Sequence, residues 1–212
     1  MTQTISIKEN TFILHPTGAI YWTERKILLI ADVHLGKISH FRKAGMAVPH
    51  NAVFGNYRQL DVALSYFEPE TLCFLGDLFH SSLNNEFVTF TDWVSRIKVN
   101  VLLIAGNHDI INPQKYHDIG IPVHSELIVG DFLLTHHPED RSGFFNFSGH
   151  IHPAVRLRGS GRQWLKLPCF FKKESQMILP AFGDFTGTFL LVPMQNDRIY
   201  AVTKDEVIMI CD

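Results

Sequence analysis

Cysteine is scarce, with three residues (Cys73, Cys169 and Cys211) in a chain of 212. The odd number and wide spacing argue against a disulfide framework and against a paired-thiolate metal site. Cys73 stands within an apolar run and reads as a core residue. Net charge is nearly absent too, at −2. The chain is therefore not an overtly basic nucleic-acid binder, although a local cluster of Arg and Lys would serve the same end. No apolar run is long. Ile27 to Ala31 and Val101 to Ala105 fall far short of a bilayer, so no membrane partner is expected. Met1 to Asn10 is polar and lacks the apolar core of a signal peptide, which makes a cytoplasmic location the expectation. Repeats, low-complexity stretches and linkers are missing as well. Residues 1–212 then read as one domain, long enough to bury a core.

What is present is histidine, at 12 residues. A chain rich in His and poor in Cys suits metal sites built from imidazole and carboxylate. Short apolar runs at Lys26 to Ala31, Thr71 to Leu75 and Val99 to Ala105 read as buried strands. Between them, Val53, Tyr57, Leu60 and Leu64 recur at helical spacing, as do Phe87, Phe90, Val94 and Ile97. Strands alternating with helices imply a parallel sheet. After Pro122 the pattern turns to short strands. Ser125 to Val129 and Asp131 to His136 flank Gly130 as a hairpin. Gln163 to Leu167, Thr188 to Val192, Arg198 to Val202 and Val207 to Ile210 follow. The second half is mostly β, consistent with a second sheet stacked on the first.

Metal-capable groups follow these runs. The first run ends in Asp32-Val33-His34, the second in Gly76-Asp77, the third in Gly106-Asn107-His108-Asp109. The hairpin ends in His136-His137, and Phe145 to Ser148 leads into Gly149-His150-Ile151-His152. Ligands collect beyond the carboxyl ends of strands in open α/β sheets, so these groups can converge. On an extended segment, Asp32 and His34 would point the same way and share an ion. His150 and His152 can do likewise, or can serve two adjacent ions. The glycines before Asp77, Asn107 and His150 permit close backbone approach. Asp77 suits a bridge, because a carboxylate offers two oxygens. Oxygen and nitrogen ligands without thiolate favour two divalent ions, with Mn²⁺ the first expectation and Fe or Zn²⁺ the alternatives. Such a pair, about 3.5–4 Å apart, clamps both oxygens of an in-line displacement at phosphorus. His108 is assigned to substrate, stabilising the phosphoryl group or protonating the leaving oxygen. Asp109 is expected to orient its ring.

The ordered set D-x-H, G-D, G-N-H-D, H, G-H-x-H resembles the calcineurin-like metallophosphoesterase superfamily. The resemblance implies an α/β fold, a four-layer α/β/β/α sandwich of two stacked mixed sheets flanked by helices. It implies one metal on Asp32, His34, Asp77 and His152, and a second on Asp77, Asn107, His136 and His150. One position departs from the pattern: His80 stands where relatives carry an acidic residue after the bridging Asp. A narrower likeness runs from about Asn10 to the C-terminus, through DVHLGKISHFRKAGMAVP (Asp32 to Pro49), FLGDLFH (Phe74 to His80), GHIHPAVRLRG (Gly149 to Gly159), LPCF (Leu167 to Phe170) and LPAFGDFTG (Leu179 to Gly187). These segments are similar to the bacterial ligase-associated DNA damage response endonucleases. The resemblance implies a phosphodiesterase or endonuclease acting on DNA in repair, with a DNA ligase and a helicase as partners.

Small substrates are the alternative, either cyclic nucleotides and dinucleotides or a nucleotide-lipid pyrophosphate. The last usually needs an apolar cap, and none is evident. A scaffold without catalysis is disfavoured because the ligand set is complete. For binding substrate phosphates, Arg42 stands out beside Lys37 and Lys43, since a guanidinium forks onto phosphate. Arg156 and Arg158 alternate on a strand and offer a modest DNA track, with a solvated face as the plainer reading. Phe170-Phe171, followed by Lys172-Lys173 in a turn-like segment, read as exposed aromatics beside lysines, which suit a single-strand contact or a protein partner. His137 is expected to play a structural part near the ligands.

Overall fold

The computed structural model describes residues 1–37, 54–80, 85–159, 161, 163–184 and 186–210. Arg42, Lys43 and Cys211 lie outside these residues. Two mixed sheets stack face to face, as expected. The first has seven strands in sequence order: β1 (Gln3–Ile7), β2 (Asn10–Leu14), β3 (Ile20–Trp22), β4 (Ile27–Ile30), β5 (Thr71–Leu75), β6 (Asn100–Ile104) and β7 (Val123–His124). Strands β1 to β4 pair antiparallel, and β4 to β7 pair parallel. The parallel half carries the βαβ crossovers through α1 (Gly55–Phe67) and α2 (Asn85–Val94).

The second sheet has nine strands: β8 (Leu127–Val129), β9 (Phe132–Leu134), β10 (Phe145–Ser148), β11 (Pro153–Arg158), β12 (Trp164–Lys172), β13 (Gln176–Ile178), β14 (Phe189–Leu190), β15 (Arg198–Val202) and β16 (Val207–Ile210). Its main path runs β14-β11-β12-β13-β10-β9-β8, with the β15–β16 hairpin joined to β12. A short helix, α3 (Pro113–His117), precedes β7. It is capped by the Asn112 side chain, which accepts from the Gln114 N–H.

Alternation along the strands explains why β4 to β6 read as unbroken apolar runs. Leu28, Ile30, Leu72, Phe74, Val101 and Leu103 face α1 and α2 in one core. Leu29, Ala31, Cys73, Leu75 and Ile104 face the other way and meet Phe132, Leu134, Phe147 and Phe170 between the sheets. Strands covered on both sides have no polar face. A smaller cluster, including Val155, Cys169, Phe171 and Ile199, lies on the far face of the second sheet. Among the described residues no helix is long and apolar enough to cross a membrane.

Candidate metal centre and active site

The metal-capable residues leave their strands at one edge of the stack and turn sharply. Asp32, His34, Asp77, His150 and His152 all have positive φ, between 49° and 67°. Such conformations cost non-glycine residues about 1–3 kcal/mol each and persist where surrounding contacts hold them. Here the contacts are explicit. The loops after β4 and β5 zip together, with Asp32 N–H donating to Gly76 O (3.2 Å), His34 N–H to Asp77 O (2.9 Å) and Leu35 N–H to Leu78 O (2.8 Å). The Asp32-x-His34 pair is therefore not an extended segment, as its spacing suggested. Both side chains reach the site because both residues adopt the left-handed turn.

Two glycines make the convergence possible. Gly149 has no room for a Cβ, which would overlap the Asp32 carboxylate and sit 2.6 Å from Ala31 Cβ. Gly76 has φ +83°, and a Cβ there would overlap the His136 ring. Gly149→Ala is expected to push Asp32 aside and to break the 2.9 Å bond from His150 N–H to Asp32 Oδ2. The expected loss is about 1–3 kcal/mol of stability from overpacking, with metal affinity down roughly 10–100-fold. Thermal melts with and without Mn²⁺ read both, and a variant that melts and responds like the parent would contradict the steric reading.

The side chains gather in two clusters. In one, His152 Nε2 is 3.4 Å from Asp32 Oδ1 and 3.4 Å from His34 Nε2. In the other, His136 Nε2 is 2.9 Å from Asn107 Oδ1 and 3.2 Å from His150 Nδ1. Asp77 stands between them, with Oδ1 3.4 Å from His136 Nε2 and Oδ2 3.8 Å from His34 Nε2. Two atoms each about 2.1 Å from one first-row ion lie about 3.0–3.4 Å from each other. Five of the six spacings, at 2.9–3.4 Å, match that bite, and the Asp77 to His34 distance is wider at 3.8 Å.

The chemistry of the donors fits as well. His136 Nδ1 lies 3.0 Å from Leu75 O, and a carbonyl only accepts, so Nδ1 carries the proton. His152 Nδ1 lies 3.0 Å from Gly187 O, with the same consequence. With Nδ1 donating, the neutral form of either ring presents Nε2 as a lone pair aimed into its cluster. Asp32 is fully buried, and its Oδ1 has no hydrogen-bond partner. A buried carboxylate oxygen facing lone pairs calls for a cation. Burial, with the neighbouring His152, Lys37, His108 and His80 charges, lowers His34 to about 2, which keeps it neutral. Burial and the adjacent His137 and His136 also lower His150. Burial pulls His152 down, but the Asp32 carboxylate and the Gly187 carbonyl together leave the ring raised.

His108 and Asn107 sit on the exposed turn after β6. The His108 ring is 5.6 Å from the His34 ring. Its backbone N–H donates to Asp77 Oδ1 at 2.9 Å. Asp109 does not serve the His108 ring as expected. Its Oδ1 accepts from Leu78 and Phe79 N–H (2.9 and 3.2 Å), and its Oδ2 from Gly106 N–H (2.8 Å). A half-buried carboxylate takes the nearest donors, and here these are backbone amides; Asp109 braces the turn that presents Asn107 and His108. Burial raises it despite those bonds.

His80 lies closer than its sequence position announced, with its ring 5.8 Å from His34 and 5.7 Å from His108, stacked on the latter. His137 lies 4.0 Å, ring to ring, from His150, and its nitrogen falls within 4.8 Å of the ligand atoms of His136 and His150. Lys37 is partly buried near the first cluster, where burial lowers it although Asp77 pulls it up.

Supporting residues escaped the sequence reading. Asn146 is buried. Its amide donates to Leu133 O (3.0 Å) and Thr135 Oγ1 (2.8 Å), and its Oδ1 accepts from Glu139 N–H (3.0 Å), so it frames the His136 loop. Asn56 on α1 donates to Val33 O (2.9 Å) and accepts from Asp184 N–H (2.9 Å). It ties the Asp32 loop to the segment before Gly187. Phe170 and Phe171, expected to be exposed to a single strand or a protein partner, are buried at 0% and 1% exposure on opposite faces of β12. Trp164, on the same strand, is exposed at 59%.

The profile of the calcineurin-like phosphoesterase family matches residues 25–172. No curated protein matches the chain. The crystal structure of Pseudomonas putida nuclease MPE superposes with TM-score 0.84 at 32% identity, covering 99% of this chain and 100% of that one. Yfce, a phosphoesterase from E. coli, matches with TM-score 0.43 at 16% identity, over 86% of this chain and 96% of that one. With buried His and Asp groups able to hold metal at the strand ends, this chain belongs to the calcineurin-like phosphoesterase family and is a phosphoester hydrolase.

Proposed function

We propose that the protein is a two-metal phosphodiesterase that cuts DNA, and that it serves DNA repair. The observation that carries the two-metal part is Asp77, with one oxygen turned to each cluster. In this reading Asp32, His34, Asp77 and His152 hold one ion, and Asp77, Asn107, His136 and His150 hold the other. Mn²⁺ suits the mixed oxygen and imidazole set, with Fe and Zn²⁺ behind it. When bound, the ions supply Lewis acidity and charge neutralisation at the phosphodiester. The chain does the rest. His136 and His152 are locked in the tautomer that presents Nε2. Asp109 fixes the turn, and the His108 ring at its exposed tip donates a proton to the leaving oxygen or a hydrogen bond to the phosphoryl group. Lys37 draws substrate phosphate toward the first cluster, and Arg42 is assigned the same work.

DNA as substrate draws its support from likeness over 99% of the chain to Pseudomonas putida nuclease MPE. A DNA ligase and a helicase are the proposed partners. The test is hydrolysis by metal-stripped protein, with and without Mn²⁺, of bis-p-nitrophenyl phosphate, 2′,3′-cyclic nucleotides, and single- and double-stranded DNA. Mn²⁺-dependent cleavage at internal positions in DNA is expected. Turnover of the small esters alone would replace the nuclease by a small-nucleotide phosphodiesterase.

A further inference from the structure

Strand β11 begins at Pro153, immediately after the metal-capable His152, and pairs antiparallel with β12. The register sets Arg158 opposite Trp164 and Arg156 opposite Lys166. All four share one face, because side chains alternate along a strand. Further along β12, the same face carries Phe170 into the core between the sheets. The inner face of the second sheet thus changes character as it leaves the core, from phenylalanine to arginine, tryptophan and lysine.

This overhang is unusual in what it holds together. The guanidiniums of Arg156 and Arg158 both lie over the Trp164 ring, 5.8 and 5.7 Å from its centre. Successive same-face residues are about 7 Å apart, so two like charges share one indole. Among the described residues neither arginine has a carboxylate within 4.0 Å. Arg141, by contrast, lies between Glu126 and Glu139. Among the described residues the cations on β11 have no carboxylate partner, and the exposed ring between them is a flat apolar surface.

The face is also tied to the metal centre. Lys166 Nζ donates to Thr188 O at 2.8 Å, and the adjacent Gly187 O holds His152 Nδ1 at 3.0 Å. Arg156 and Arg158 follow His152 by roughly 13 and 20 Å of extended strand.

We propose that Arg156, Arg158, Trp164 and Lys166 form a track for single-stranded nucleic acid that feeds the scissile phosphate to the metal centre. Phosphates supply the missing counter-charge, and an unpaired base stacks on Trp164. A duplex keeps its bases stacked on one another and cannot use the indole. The proposal rests on the nuclease reading above and adds where the strand lies.

The test measures fluorescence anisotropy of a labelled oligothymidylate of about 20 nucleotides, a length that exceeds common single-strand site sizes. Full-length protein is compared with Trp164→Ala, Trp164→Phe and the double variant Arg156→Gln/Arg158→Gln. All three sites are exposed, and hydrolysis of bis-p-nitrophenyl phosphate serves as the control for an intact centre. Trp164→Ala is expected to bind about 5- to 100-fold more weakly, with Trp164→Phe recovering most of the loss. The arginine variant is expected to lower the slope of log K against log salt by about 1.4, the value for two single-strand phosphate contacts. Ester hydrolysis should stay at the parental rate in all three. Parental binding together with unchanged binding in every variant overturns the track and leaves the nuclease reading standing. Failure of the parent itself to bind the strand, with ester hydrolysis intact, also overturns the track, and the nuclease reading is then decided separately by the cleavage assay on double-stranded DNA.

Discussion

Asp77→Asn is expected to reduce bound metal from two equivalents to less than one and to slow phosphodiester hydrolysis by at least about 10³-fold. The size follows from where the carboxylate sits. It is 2% exposed, and its two oxygens are directed to different clusters. His108 N–H fixes Oδ1 at 2.9 Å, so the amide of the variant keeps its oxygen there and turns its NH₂ toward His34. One cluster then meets a donor in place of an acceptor. The other keeps an oxygen that has lost its charge. Two divalent ions side by side also need the negative charge between them, because their repulsion is long-ranged in a buried site. Metal analysis after dialysis, paired with ester hydrolysis across a Mn²⁺ titration, gives the answer. A variant that keeps one ion at parental affinity would show that Asp77 belongs to one cluster alone.

The same residue shows what the sequence could and could not display. The placement of metal-capable groups at strand ends was legible, because β4, β5 and β6 are buried on both faces and print as apolar runs. Each run stops where a polar group must begin. The Gly130 hairpin and the strands Arg198–Val202 and Val207–Ile210 were legible for a similar reason, since turn residues bound them. Strands β1 to β3 were not. Gln3–Ile7 exposes every second side chain and mixes Thr and Ser with Ile, so it resembles a polar leader. Ile20–Trp22 is too short to carry a period.

Within the site, the residue types were legible and their geometry was not. Nothing in Asp32-Val33-His34 announces two left-handed residues, because the loop after β5 imposes them across a long sequence separation. Asn56 and Asn146 are single asparagines whose value lies in burial. The contrast between Phe170 and Trp164 is similar. They lie on one face of one strand, and only the extent of overlap between the sheets decides which is core. Asp109 was misread because adjacency in sequence suggested a partner for His108. Burial had already committed its oxygens to amides.

His108→Ala is expected to separate chemistry from metal binding. The link from this residue to the centre is its backbone N–H on Asp77 Oδ1, which alanine retains. The turn itself is held by three backbone donors on Asp109, which the substitution does not touch. The ring is exposed, so removing it leaves no cavity. Metal content and melting temperature should therefore match the parent. What disappears is an imidazole at the rim of the clusters, 5.6 Å ring to ring from His34. A group that donates to the leaving oxygen or the phosphoryl group in the transition state is worth about 10²–10³-fold in kcat. Two esters divide those roles. If His108 protonates the leaving group, bis-p-nitrophenyl phosphate suffers little, since p-nitrophenolate departs without help, while DNA cleavage drops by the full factor. If His108 stabilises the phosphoryl group, both substrates lose alike. Loss of metal in the variant would place the ring among the ligands and overturn both roles.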